Sequence, residues 1–231
     1  MSQLALLNVP APALPTSVDL RCCTVQDLIA SYEADPPALI IADPPWCYQQ
    51  APGHSANPDN HYGTMPEREI ASILDGAFDL MDKGRLALWI TWPFVGLFMD
   101  ATKAGQWRWR YVSGGCWTKQ AGRAGTGYHW LGACEPVLLY VKGTGLCTEW
   151  GALQNAHTSP RMAHSEKPWQ WMAGWIERWT DPGDLVVDLF AGMAPVALAC
   201  VATGRRYIGA EADPVRHRQA LDRIALGVGQ L

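Results

Sequence analysis

Long apolar runs are missing from this chain: no segment approaches the roughly 20 apolar residues that a bilayer-spanning helix needs. CxxC pairs are missing too, and the seven cysteines (Cys22, Cys23, Cys47, Cys116, Cys134, Cys147 and Cys200) are odd in number. The start of the chain has neither the charged opening nor the apolar core of a secretory signal. This usage predicts a soluble, cytoplasmic protein with reduced thiols, no disulfide framework and no zinc site. Charge of one sign is scarce as well. A net charge of -4 excludes coating of nucleic acid by bulk charge and leaves only a local basic face for phosphate contact. Internal repeats are absent.

What remains is 231 residues, 48% of them hydrophobic, with 12 tryptophans. That is enough for one compact domain with a sizeable core, and it excludes a disordered polypeptide. Residues 1–18 are rich in Ala and Pro and are expected to form a flexible N-terminal arm before a single domain at 19–231. TVQDLIASYEA (24–34) has helical spacing and is stopped by Pro36 and Pro37; ALIIA (38–42) suits a buried strand ending at Asp43. A Pro, Gly, Asn and His-rich stretch from 44 to 63 forms a long loop, a length that points to function or disorder.

Downstream, PEREIASILDGAFDLM (66–81) reads as a helix and RLALWIT (85–91) as a strand. WRWRYVSGGCW (107–117) alternates, with Trp107, Trp109 and Tyr111 on one face and Arg108 and Arg110 on the other. EPVLLYVKG (135–143) is a strand and KPWQWMAGWIERW (167–179) a helix opened by Pro168. Trp171, Trp175 and Trp179 recur every four residues, the spacing of a core or subunit-interface stripe. Alternating strands and helices then continue to the end. The pattern predicts an α/β fold: a mostly parallel sheet with helices on both faces.

Two segments carry chemistry. DLVVDLFAGMAPVALACVATGRRYIGAE (184–211) is a strand, a glycine-bearing turn, a helix and a second strand ending in an acid. Gly192 lets backbone approach a ligand, and Glu211, 23 residues beyond Asp188, can accept both hydroxyls of a ribose. A nicotinamide cofactor is an alternative, but a complete GxGxxG is absent because Ala194 stands at the second glycine, leaving less room for a pyrophosphate. S-adenosylmethionine has no pyrophosphate.

The second segment, IIADPPWCY, sets Asp43, Pro44, Pro45 and Trp46 just past a buried strand. An aromatic amine is a poor nucleophile because its lone pair is delocalised into the ring. The Asp43 carboxylate and the Pro44 carbonyl can accept its two hydrogens and stabilise the positive charge that develops on nitrogen. The rigid prolines hold those acceptors, and Trp46 offers a flat face for a flipped base. Tyr48, and His61 and Tyr62 on the long loop, are candidate substrate contacts; a lid is the other reading of that loop. Arg108, Arg110, Lys119 and Arg123 are the candidate phosphate-contacting cluster, though charged strand faces are usually just solvated.

From about Leu20 onward the chain resembles the MT-A70-like adenine-N6 methyltransferases, which carry DPPW, HYGTM (61–65), LWIT (88–91) and W-T-K (117–119) in this order. The C-terminal portion is similar to β-class DNA amino-methyltransferases, in which the catalytic motif precedes the cofactor motif and an H-S-x-K-P segment (His164, Ser165, Lys167, Pro168) introduces the cofactor strand. The resemblance implies a permuted Rossmann-like fold binding S-adenosylmethionine. It places Lys167 on the cofactor carboxylate, Asp188, Phe190 and Gly192 along the methionine part, Glu211 on the ribose, and Asp43 in both halves. Lys167-Pro168 can equally open a helix with Ser165 as its cap.

The expected activity is methyl transfer to N6 of adenine in DNA, the partner being double-stranded DNA with a flipped adenine. Alternatives are RNA adenosine, DNA cytosine N4, and a non-catalytic nucleic-acid-binding subunit. A homodimer or a second subunit is a further possible partner, and no metal is expected.

Overall fold

The computed structural model describes residues 14–47, 63–120, 132–144, 154–160 and 166–228. In chain order they form β1 (Val18–Arg21), α1 (Val25–Ala30), β2 (Leu39–Ala42), α2 (Glu67–Ala77), β3 (Gly84–Trp89), α3 (Trp92–Lys103), β4 (Arg110–Lys119), β5 (Cys134–Lys142), β6 (Ala156–Ser159), α4 (Trp169–Trp179), β7 (Leu185–Asp188), α5 (Pro195–Thr203), β8 (Arg206–Ala210) and α6 (Pro214–Val228). The sheet begins at Val18, the last residue assigned to the arm. Thr24 starts α1 by accepting the Asp27 N–H at 3.1 Å. This helix is shorter than its apolar spacing suggests. Ser31 turns its hydroxyl back onto the Asp27 carbonyl at 2.7 Å and ends the regular turns before the prolines.

The eight strands form one sheet in the order β1-β8-β7-β2-β3-β5-β4-β6. Pairing is parallel from β1 through β3 and again between β4 and β6, and antiparallel on both sides of β5. Every residue of β2, β3 and β7 is buried, as expected of strands covered on both faces. The two-residue period then divides the core. Ile40, Ala42, Leu86 and Leu88 pack under α1, α2 and α3 with Ile70, Leu74 and Phe98. Leu39, Ile41, Ala87 and Trp89 pack on the other side with Met172, Trp175, Ile176 and Ile224 of α4 and α6.

Three elements were not legible from residue patterns, the first being the four-residue edge strand β1 (Val18–Arg21). The helix α3 follows β3 without a polar break, and its apolar composition reads as a continuation of the strand; Pro93 in its first turn is the available start signal. The strand β6 is four residues of mixed polarity added at the sheet edge. The tryptophan stripe of α4 packs inward: Trp175 is buried, with Trp171 at 4.5 Å and Trp179 at 5.8 Å between ring centroids. Among the described residues no helix is long and apolar enough to cross a membrane.

Candidate active site

Topology gathers the chemistry at one rim of the sheet. From β7 the chain steps outward through α5 to β8, and from β2 it steps the other way to β3, so the direction of winding reverses between β7 and β2. Open α/β sheets bind ligands at the carboxyl ends of the strands flanking such a reversal. Asp188 is the last residue of β7, Asp43 follows β2 and Glu211 follows β8. Because β5 runs backward, its first residues, Cys134 and Glu135, reach the same rim, where β4 ends at Lys119.

On the β7–β8 side the groups are held by backbone. The Glu211 carboxylate accepts the Gly192 N–H and the Asp213 N–H, both at 2.9 Å. Those bonds tie the end of β8 to the turn after β7. Gly192 has φ of +53°, and a Cβ there would meet no atom within 4 Å, so the turn presents bare backbone to open space. Ala194 shares that left-handed conformation and is the one non-glycine residue with positive φ among the described residues. Asp188 is buried beneath this turn, accepting the Phe190 N–H and the Tyr207 hydroxyl, each at 3.3 Å. Burial pushes its carboxyl up to about 7, against the pull of those two donors. Tyr207 reaches Asp188 by lying along its own strand over Gly209, where a Cβ would come within 2.1 Å of its hydroxyl.

On the β2–β5 side the groups are held by side-chain charge. Lys167, just before α4, is buried and donates to the Asp43 carboxylate at 2.6 Å and approaches Glu135 at 3.2 Å; Glu135 also meets Lys119 at 2.5 Å. Two ammonium and two carboxylate groups therefore alternate along the rim. Burial alone favours a neutral Lys167, but Asp43 and Glu135 outweigh it and hold its pKa above the ordinary lysine value. Burial also works on Glu135, yet Lys167 and Lys119 prevail and lower its carboxyl. At Asp43 burial prevails and raises the carboxyl against the Lys167 charge. The Pro44 carbonyl accepts the Trp46 N–H at 2.9 Å and the Pro45 carbonyl accepts the Met65 N–H at 2.8 Å, which fixes the corner.

Three expectations are corrected. Trp46 does not offer a free face: it is 4% exposed, stacked on Phe94 at 5.1 Å, edge-on to Phe98 and bonded through Nε1 to the Trp89 carbonyl. Its indole anchors the corner in the core, so base stacking is not available to it in this arrangement. Lys119 is engaged by Glu135 and 11% exposed, which leaves little of it for a phosphate. The basic cluster does not converge either. Arg108 closes onto Asp75 and Asp79 of the α2 region, before the first residue of β4, whereas Lys119 is its last, on the order of 30 Å away along an extended strand.

Tyr48, His61, Tyr62, Arg123, His164 and Ser165 lie outside the described residues. The segment Arg21-Cys22-Cys23 flanks Glu211, whose N–H binds the Arg21 carbonyl at 3.0 Å, while the Arg21 side chain turns to Asp19. Glu135 and Tyr207 are site residues that sequence reasoning gave no role; a lone acid at a strand start and a Tyr two residues before a Gly are weak signals.

A family model described as DNA methylase (N6_N4_Mtase) matches residues 148–222, the segment that carries Lys167, Asp188 and Glu211. YubD of Escherichia coli (strain K12), named as a methylase, is 39% identical over 61 residues, 26% of this chain and 27% of that protein. The Type II methyltransferase M.XycI of Xanthomonas campestris pv. cyanopsidis is 34% identical over 99 residues, 42% of this chain and 31% of its own. The chain thus spans less than a third of the length of either relative.

Among solved structures, M1.HpyAVI in complex with S-adenosylmethionine superposes with a TM-score of 0.70 at 17% identity, covering 90% of this chain and 99% of that one. The PvuII DNA methyltransferase, specific for cytosine N4, gives 0.64 at 13% identity, covering 95% and 94%. The fold is that of the S-adenosylmethionine-dependent DNA methyltransferases.

Proposed function

We propose that this chain is a single-domain S-adenosylmethionine-dependent DNA methyltransferase that modifies the N6 amine of adenine. The observation that carries the reading is the 2.6 Å contact between Lys167 and Asp43, residues 124 apart in sequence. It joins the segment matched by the DNA methylase family to the Asp-Pro-Pro-Trp corner. Bound S-adenosylmethionine supplies a methyl group on a sulfonium centre.

The residues fit that group in kind. Glu211 is a carboxylate for ribose hydroxyls, Gly192 is open backbone, and Lys167 is a buried cation for a carboxylate. Asp188 and Phe190 line the floor of the turn. Asp43, held by one carboxylate oxygen on Lys167, and the second lone pair of the Pro44 carbonyl are the acceptors for the two amine hydrogens. Burial raises the Asp43 carboxyl and the Lys167 charge works against that rise; in its ionised form the carboxylate draws the amine toward a pyramidal nitrogen and stabilises its positive charge.

Cytosine N4 is the second reading, because the amine chemistry is the same, the matching family takes both amines, and a cytosine-N4 enzyme shares the fold. The Asp-Pro-Pro-Trp corner followed by HYGTM favours adenine, by its resemblance to the adenine-N6 enzymes. The test is methylation of unmethylated DNA by the full chain with labelled donor, followed by digestion to nucleosides and mass spectrometry. N6-methyladenine is the expected product. N4-methylcytosine replaces the base assignment, label in RNA alone replaces the substrate, and no donor binding at all overturns the enzyme.

A further inference from the structure

Three groups on α6 and its neighbours fall outside the arrangement described so far. Arg223 reaches from the middle of α6 to the far side of the donor turn, where its Nη1 donates to the Met193 carbonyl at 2.7 Å. Its Nη2 meets the Glu166 carboxylate, the side chain immediately before Lys167. Arg223 is 23% exposed and Glu166 11%, so the pair is largely shielded from water. Met193 lies between Gly192, whose N–H binds Glu211, and Ala194, whose left-handed backbone is unfavourable for an L side chain. One planar guanidinium therefore grips both pieces of the site: the strained turn and the segment that delivers the buried lysine.

We propose that Arg223 is a positioning residue for donor binding, holding the 192–194 turn in its left-handed form and fixing Lys167 through Glu166. This rests on the methyltransferase reading above. Arg223 acts through other residues. Without it the turn loses the bond that holds the Met193 carbonyl, and Ala194 is free to leave its strained conformation. Glu166 loses its counter-charge beside Lys167 at the same time.

The test measures S-adenosylmethionine affinity by calorimetry on the full chain, well below the unfolding temperature, for the wild type, R223A, R223K and the double variant A194G/R223A. R223A is expected to weaken donor binding about tenfold or more, with the KM for DNA changed by less than about twofold. R223K, which keeps the charge but not the fork, recovers only part of the loss. A194G in the R223A background restores part of the affinity, because glycine holds the left-handed turn without a clamp; a purely structural Arg223 gives no such rescue. Donor affinity of R223A within twofold of wild type overturns the positioning role and leaves the methyltransferase reading standing. A wild-type protein that binds no donor overturns both.

Discussion

The two sides of the rim are built differently. On the β7–β8 side Glu211, Asp188 and Gly192 are joined by backbone N–H groups across at most 19 residues of chain. On the β2–β5 side Asp43, Lys167, Glu135 and Lys119 are joined by side-chain charges drawn from four separate segments, with Lys167 and Asp43 124 residues apart. Each of these bonds needs only one side chain, because its donor is a backbone N–H that any residue but proline supplies, so the first side is local and tolerant of change at the donor positions. A charge chain fails when one member is removed, so the second is cooperative and brittle. On the proposed function the difference suits their tasks: one side meets the ribose and methionine part of the donor, while the other sets Lys167 for the donor carboxylate and Asp43 for an incoming amine.

The largest break in that contrast is expected at Asp43. Replacing it with Ala removes the acceptor for the amine and should lower kcat by about three orders of magnitude, at the upper end for loss of one preorganised electrostatic group. Donor affinity keeps its proposed contacts to Glu211, Gly192 and Lys167 and should change only severalfold. Calorimetry with S-adenosylmethionine, alongside single-turnover methyl transfer, separates the two. Loss of donor binding equal to the loss of rate places Asp43 on the wrong side of the comparison.

Glu135 tests brittleness. Glu135→Ala leaves Lys119 and Lys167, both about 10% exposed, facing one remaining carboxylate. Removing one member of a largely buried ion network costs about 3 kcal/mol, which denaturant unfolding can read. A loss below about 1 kcal/mol shows that water screens the rim more than its burial indicates.

Asp188 tests the tolerant side through pH. Its carboxyl titrates near 7 in the folded protein because of burial, against about 4 in an unfolded chain. The folded state therefore holds the proton more tightly, so this group's contribution to stability is greatest below pH 4, declines as pH rises toward 7, and is flat above. Between pH 5 and 8 the wild type should lose about 2–3 kcal/mol from this source, and Asp188→Asn should remove that slope. Urea unfolding at the two pH values provides the measurement. Equal slopes in both proteins place the Asp188 titration elsewhere.

The same difference governs what was readable. The strand-turn-helix with its glycine and terminal acid is continuous in sequence, so Gly192 and Glu211 could be named from spacing, Asp188 from the family resemblance, and the buried strands from their unbroken apolar runs. Asp43 and Pro44 were legible because prolines after a strand are a local signal. The Glu135–Lys119 contact was not: it exists only because β5 runs antiparallel between β3 and β4, and nothing in either segment reports that topology. The role of Trp46 was misjudged for a related reason. A Trp beside a catalytic acid has the right shape for stacking a base, but Phe94 and Phe98 come from α3, the helix that residue patterns did not reveal.

The smallest expected effect is at Ala194, and it sharpens the comparison most. Ala194 and Ala197 are both fully buried and three residues apart: the first caps α5 in left-handed backbone, the second lies inside the helix. Replacing either with Gly removes a buried methyl group, about 0.8 kcal/mol, and makes the unfolded chain more flexible by about 0.4–1 kcal/mol. At 194 alone the change also relieves a left-handed L residue, worth roughly 1–2 kcal/mol. Ala197→Gly should therefore cost at least 1 kcal/mol, while Ala194→Gly stays within about 0.5 kcal/mol of wild type. Equal losses from the two substitutions, read from denaturant midpoints, show that the turn is relaxed as it stands and has no need of a clamp from α6.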